Sequence, residues 1–212
     1  MVTSKIVSKA EGRVVALADV SPGDEARRIA AQAERKDPRL VQLVLDEAVE
    51  VLRAERGVLI VETRHGFVCA NAGIDQSNLP GEEEALLLPL DPDSSARALR
   101  EGIWRGRGVR PAVVISDSFG RAWRLGQVDV AIGAAGLSPL EDWRGRRDAH
   151  GRELHATLPA IADAVSAVSD LARDKNTGEP VVLVRGMERF VTPDDGPGAA
   201  ALRRPRREDL FR

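Results

Sequence analysis

Two stretches of this chain carry an apolar stripe at helical spacing, and the short β-branched runs around them follow no regular alternation. Val41, Val44, Leu45, Ala48, Val51 and Leu52 fall at i, i+3, i+4, i+7, i+10 and i+11, one face of an amphipathic helix. Ile161, Ala164, Val165, Val168, Leu171 and Ala172 make a second face of the same kind. Val58–Thr63, Ala112–Ile115 and Val181–Val184 are short apolar runs bounded by turn signals, as strands are. A doubly wound sheet needs strands and helices in steady succession. Without that rhythm, the pattern predicts a mixed α/β (α+β) fold.

The remaining elements are weaker. Residues 2–7 lean toward a strand that enters a Lys/Ser-rich turn at Ser8–Gly12, with Arg13–Val20 as a returning partner. Gly23 to Lys36 is charged and Ala-rich and predicts a helix, and Asp37-Pro38 then places proline at the first position of the next. Asp93–Glu101 predicts a helix capped by Asp93 or Ser94. Val128–Leu137 is rich in Gly and Ala, which suits closely packed backbone, and a loose tail is expected over residues 191–212.

Bulk properties exclude several classes of function. The chain has 212 residues, ample for a packed core, and its net charge of −2 exerts no general pull on nucleic acid or membrane. No Tyr and 3% aromatics leave little with which to stack bases. No apolar run approaches the ~20 residues that span a bilayer. One cysteine, Cys69, rules out an internal disulfide and suits a reducing cytoplasm. His65, His150 and His155 show no ligand spacing that includes a cysteine, which argues against zinc.

Three segments could carry chemistry. Ala70-Asn-Ala-Gly-Ile-Asp75-Gln-Ser-Asn78 offers small residues for close backbone approach, a carboxylate for a divalent cation, and neutral donors in Ser77 and Asn78. Asp75 could equally close an Asx turn on its own backbone. Val113-Val-Ile-Ser-Asp117-Ser118 reads as a strand delivering a carboxylate and a hydroxyl at its end, with Arg121 and Arg124 following at helical spacing. Such an end can hold Mg²⁺ beside phosphates, or Asp117 can merely pair one of the arginines. Thr3-Ser4-Lys5-Ile-Val-Ser-Lys9 could cradle phosphates, or be a solvated basic strand end. It lacks the glycine spacing of a Walker loop.

Taken together, these segments resemble one family. Val2-Thr-Ser-Lys-Ile-Val-Ser-Lys-Ala-Glu-Gly-Arg13, Glu62-Thr-Arg-His-Gly-Phe-Val-Cys-Ala-Asn-Ala-Gly-Ile-Asp75-Gln-Ser-Asn78 and Ser116-Asp-Ser-Phe-Gly-Arg-Ala-Trp-Arg124 occur in that order. Gly133-Ala-Ala-Gly136, Asp148-Ala-His-Gly-Arg-Glu-Leu154 and Val184-Arg-Gly186 follow, with an echo in Glu208–Phe211. This series is similar to the coenzyme F420-0:L-glutamate ligases, also called F420:γ-glutamyl ligases.

The resemblance implies a ligase-like domain over residues 1–190 and an intertwined homodimer. It implies GTP as co-substrate, Mg²⁺ or Mn²⁺ as cofactor, and F420-0 and L-glutamate as the molecules joined through an acyl phosphate. Matched position by position, Asp75, Asp117 and Ser118 correspond to metal ligands, and Ser4, Lys9 and Asn78 to nucleotide contacts. Arg121 and Arg124 are added on charge grounds as phosphate or substrate contacts. Family members usually begin with a Gly-Ile/Leu-Pro loop and a strand before the Val-Thr-Ser-Lys segment. Here Met1 falls directly on that segment, so an N-terminally short domain is expected. Where the family often has Gly before a Lys after the late helix, this chain has Asp174-Lys175. Nothing resembles the flavin-binding domain fused to some relatives. Another metal-dependent, amide-forming enzyme on the same scaffold and an inactive dimeric binding protein stay open as alternatives.

Overall fold

The computed structural model describes residues 1–32, 36–81, 83–174 and 176–211. In chain order the elements are β1 (Val2–Thr3), α1 (Ser4–Ala10), β2 (Val14–Ala16), α2 (Asp24–Gln32), α3 (Pro38–Glu47), β3 (Ala48–Glu55), β4 (Val58–Thr63), β5 (Val68–Ala70), β6 (Glu84–Leu86), α4 (Pro92–Arg107), β7 (Val113–Arg121), β8 (Arg124–Ala135) and α5 (Ile161–Leu171). The fold is mixed α/β, as the sequence predicted. The chain divides into two compact units, one of Met1–Thr3, Pro92–Asp117 and Val128–Pro205, the other of Ser4–Asp91, Ser118–Gln127 and Arg206–Arg212.

In the first unit, β1 runs parallel to β7, with Val2 opposite Ile115 and Thr3 opposite Ser116, and β7 turns back into β8. Val114, Ala131, Ala134, Leu137, Ile161, Ala162, Val165, Phe190 and Ala199 form its core. Helix α5 forms where its stripe predicted, but of that stripe only Ile161 and Val165 are buried, with Ala162, Ser166 and Ser169 completing the packed face, while Ala164, Val168, Leu171 and Ala172 are exposed. Asp163 in the first turn of α5 accepts from the Ala131 amide at 2.9 Å, and burial pushes its carboxyl above the usual range. A raised carboxyl favours the fold while protonated, so that stability is present below 3.8 and declines as pH rises through the folded-state value. Asp163→Asn keeps an acceptor without the charge. Its melting temperature relative to wild type is expected to be higher at pH 7 than at pH 4. An equal difference at both pH values would exclude this origin.

Arg100 of α4 is 2% exposed, yet all five of its donors find acceptors. Nε donates to Pro111 O at 3.0 Å, Nη1 to Asp194 O and Asp195 Oδ1 at 2.8 and 2.7 Å, and Nη2 to Thr192 O and Pro193 O at 2.6 and 3.4 Å. Gly136 has φ +73, and a Cβ there would come within 2.3 Å of Arg100 Nε. Asp93 accepts from the amides of Ala134, Ala199 and Ala200 at 2.8, 2.7 and 3.2 Å. The segment that the sequence treats as the start of a loose tail thus carries several of this unit's polar tethers between Thr192 and Ala200.

In the second unit, β3, β4 and β5 form an antiparallel sheet, with Glu55 opposite Val58 across a tight turn. Arg56 and Gly57 both have positive φ, 50 and 75, which matches the right-handed twist of the flanking strands. Helices α2 and α3 bury Ala26, Ile29, Ala30, Val41 and Val44 with Leu59, Val61 and Ala72. Asp37 caps α3 by accepting from the Arg39 amide at 2.8 Å. A separate pairing joins β2 to β6, with Val14 opposite Leu86.

Several local expectations are corrected. The helical stripe predicted through Leu52 ends at Glu47, and Ala48–Glu55 is strand β3. Glu47 is 5% exposed and accepts from Arg13 and Arg64 at 2.9 and 2.8 Å, which fixes the helix end. Pairing with β4 then takes the backbone groups that a longer helix would have satisfied internally. Residues 2–7 are not one strand, since β1 stops at Thr3 and α1 follows. Arg13–Val20 does not return onto residues 2–7, because its strand part, β2, pairs with β6. Val181 makes a single bridge to Val2 rather than opening a strand. The helix expected over Gly23–Lys36 is observed as Asp24–Gln32, with residues 33–35 outside the described ones. Lys175 also lies outside them.

Candidate functional site

The best-defined polar cluster lies in the second unit, where a short helix faces a turn. Lys5 and Lys9 are four residues apart on α1, hence on one face of it. Ser4, Val7 and Ser8 are its buried residues. The facing turn follows Asn71, Ala72 and Gly73, which all have positive φ, at 51, 55 and 70. A Cβ on Gly73 would press within 2.9 Å of the Leu88 side chain, so glycine is required by space as well as by φ. Asn71 Oδ1 secures the turn by accepting from Lys36 Nζ at 2.6 Å and the Leu59 amide at 3.2 Å.

Asp75 is held from both sides. Its amide donates to Leu86 O at 3.1 Å, and Leu86 N donates to Asp75 O at 2.8 Å. Asp75 Oδ1 accepts from the Ser77 amide at 2.6 Å, while Oδ2 accepts from Lys5 Nζ in a short charged hydrogen bond. Lys5 Nζ also donates to Ser77 Oγ at 2.5 Å. Lys9 Nζ donates to the Asn78 carbonyl at 2.6 Å, at a residue whose own φ is 56. The Asx turn that the sequence allowed is therefore present, and the Lys5 ammonium occupies the second carboxylate oxygen. Burial pushes the Asp75 carboxyl up, but the hydrogen bonds from Lys5 and Ser77 prevail and hold it below its usual range. Asp75 is ionised at neutral pH.

Asp117 and Ser118 lie within β7 rather than at its end, since the strand continues to Arg121. Ser116, 1% exposed, donates through Oγ to Asp129 Oδ2 at 2.8 Å, and Arg173 Nη2 reaches the same oxygen at 2.6 Å. This buried network underlies the strand beside Asp117. Arg121 and Arg124 are not helical. They flank the Ala122-Trp123 turn of the β7–β8 hairpin, both exposed, with Arg121 Nη2 donating to Leu125 O at 3.4 Å. A two-residue turn with φ 58 at Trp123 replaces the helix, because strand pairing already occupies the backbone on either side.

The structure thus brings Lys9, Asp75 and Asn78 together, with Ser4 buried on the same short helix. Lys5 and Ser77 join them; the sequence offered both within its candidate segments but matched neither to a site position. That Lys5 and Lys9 share one face was hidden because residues 2–7 looked like a strand. The donor set suits a hard divalent cation: carboxylate oxygens, one of them fixed by an Asx turn. Among the described residues no three His, Cys, Asp or Glu side chains form a ready-made metal cage. A Mg²⁺-like ion needs only one or two carboxylates and completes its shell with phosphate and water.

Comparison with known proteins adds a family. A family model described as F420-0:Gamma-glutamyl ligase matches residues 1–186. A coenzyme F420:L-glutamate ligase of Methanothermobacter thermautotrophicus is 44% identical over 213 residues, covering 100% of this chain and 83% of the relative. Proteins of the same name from Haloarcula marismortui and Methanocaldococcus jannaschii are 43% and 40% identical, each over 100% of this chain and 82% or 83% of their own length.

Proposed function

Because this chain belongs to the F420-0:gamma-glutamyl ligase family, and is by that kinship a ligase, we propose that it joins L-glutamate to coenzyme F420-0 at the expense of GTP. The observation that carries this reading is the similarity to ligases of that name across the whole chain. The cluster of Lys5 and Lys9 over the Asp75–Asn78 turn supports its polyanion-handling part.

The chemistry proceeds in two transfers. A carboxylate oxygen of F420-0 takes the γ-phosphoryl group of GTP, and GDP leaves. The amine of glutamate then attacks the acyl carbon, phosphate departs with the C–O bonding pair, and the amine loses a proton as the amide forms. Further γ-linked glutamates can be added by the same steps. Neither transfer needs a covalent nucleophile from the protein, so the enzyme's work is positioning and charge stabilisation. Asp75 and Asp117 are proposed as carboxylate ligands of Mg²⁺ or Mn²⁺. A bound cation would neutralise charge on the transferring phosphoryl group. Ser118 is assigned as a further ligand by resemblance alone. Ser4, Lys9 and Asn78 are assigned to the nucleotide, with the Lys9 ammonium as a compact charge for phosphate oxygens. Arg121 and Arg124 are assigned to phosphate or substrate.

The direct test incubates the protein with GTP, Mg²⁺ or Mn²⁺, glutamate and F420-0, and follows the product by mass spectrometry. A glutamyl increment with matching GDP release is expected. GTP binding without any increment would reject the ligase reading for this acceptor.

The homodimer is part of the same proposal. At the tip of the β7–β8 hairpin, Trp123 and Leu125 are 83% and 99% exposed. Phe211 lies against Trp123 at 5.2 Å between ring centroids and is itself 72% exposed. Large apolar side chains this bare favour burial against a partner, and a second copy is the partner the family resemblance implies. Leu125→Arg is expected to convert a sedimenting dimer to monomer. Unchanged sedimentation of the variant would remove the hairpin tip from the interface.

A further inference from the structure

We infer that Lys5 is the resident counter-ion of Asp75, and that a divalent cation gains this carboxylate only by displacing the Lys5 ammonium. The inference rests on the proposed assignment of Asp75 as a metal ligand. It assigns a role to a residue which that assignment leaves out.

The geometry is specific. Asp75 Oδ1 is committed to the Ser77 amide at 2.6 Å, an intra-turn bond that shapes the backbone. Oδ2 is the remaining acceptor, and Lys5 Nζ occupies it. The ammonium is anchored a second time by Ser77 Oγ at 2.5 Å, so it bridges the carboxylate and hydroxyl of one turn. Two cations cannot share Oδ2 closely without strong repulsion, so the metal and the ammonium compete for the same oxygen. Lys5 is suited to leave, because its charge sits on a flexible four-carbon stem. Its side chain retains 29% exposure and is not locked into the core.

Displacement has a consequence for order of binding. A metal arriving alone strips the ammonium of its partner and recovers little for it. A metal arriving with a polyphosphate supplies anionic oxygens that the released ammonium can contact. Metal and nucleotide therefore bind cooperatively, with Lys5 as the positioning residue that couples them. The coupling is reciprocal, since each ligand must raise the other's affinity by the same factor.

The test is a Mn²⁺ titration by electron paramagnetic resonance, with and without GTP, on the full chain. In wild type, Mn²⁺ alone is expected to bind weakly and GTP to strengthen it. Lys5→Met is expected to bind Mn²⁺ alone about tenfold more tightly, within the ~5–150-fold span usual for coupled sites. GTP should then add much less. If Lys5 were only a structural brace, its loss would leave Asp75 less well placed and Mn²⁺ binding unchanged or weaker, and that result overturns the inference. Lys5→Arg carries the test if Lys5→Met does not fold. A guanidinium that grips a carboxylate through two donors should weaken binding of Mn²⁺ alone, and an unchanged affinity counts against displacement. Asp75→Asn separates the two levels. Wild-type Mn²⁺ binding in that variant removes Asp75 from the metal and overturns both readings. Lost binding there, with Lys5→Met unchanged, overturns the counter-ion alone.

Discussion

Asp75→Asn is expected to lower ligase turnover by about 10²–10³-fold while the protein stays folded. The size follows from removing one preorganised electrostatic contact at the proposed phosphoryl-transfer centre. The amide keeps an oxygen that can accept from the Ser77 amide, so the Asx turn survives. It loses the charge that would hold a divalent cation, and it loses the ion pair with Lys5. That pair is partly exposed, with side-chain exposures of 29% and 41%, so the stability cost should stay within the ~0–1 kcal/mol typical of solvated pairs. Steady-state kinetics beside a thermal melt would separate the two effects. Full turnover in Asp75→Asn would end the proposal that this carboxylate handles the metal, whereas a collapsed melting temperature would mark a structural role instead.

The largest effect on stability is expected from Arg100→Met. Methionine replaces the aliphatic stem, but the carbonyls of Pro111, Thr192 and Asp194 and the Asp195 carboxylate lose their donor. Breaking a buried charged contact by removing one partner costs roughly 3–5 kcal/mol. The lower end applies, because the Asp195 side chain is 48% exposed and can hydrate. At about 2–4 °C per kcal/mol for a chain of this size, the melting temperature should fall by roughly 6–12 °C. Arg105→Ala is the internal control. Arg105 lies on the same helix, 78% exposed and paired with Glu101 at 2.9 Å, so its loss should cost no more than about 0.5 kcal/mol. Equal losses in the two variants would show that the contacts of Arg100 carry no special weight.

Several parts of the fold were legible in the sequence because local chemistry decides them. Helix α5 is observed over Ile161–Leu171, although the face it buries is not the predicted stripe, and Pro38 opens α3 behind an Asp37 cap. Val58–Thr63 is the predicted strand. The stripe from Val41 to Leu52 misled because Ala48, Val51 and Leu52 suit a helix face and a strand equally. Buried Glu47 and pairing with β4 settled the matter, and both involve residues distant in sequence. Arg100 gave no sequence signal at all. An arginine on an amphipathic helix is ordinarily solvated, and only the acceptors at Pro111 and residues 192–195 make its burial tolerable.

The candidate site divides along the same line. By itself the sequence determined the family, through ordered motifs, and determined that Asp75 sits in a tight turn with Ser77 and Asn78 beside it. Those properties are local, since glycine, asparagine and aspartate dictate turn geometry within a few residues. Tertiary structure alone decided that residues 4–10 form a helix, that Lys5 and Lys9 share its face, and that Lys5 rests on Asp75 from 70 positions away. It also placed Asp117 inside a strand rather than at its end. A seven-residue helix has little stability of its own, so only the contacts it makes once folded could fix it. The charge that sits on Asp75 is therefore a property of the folded chain.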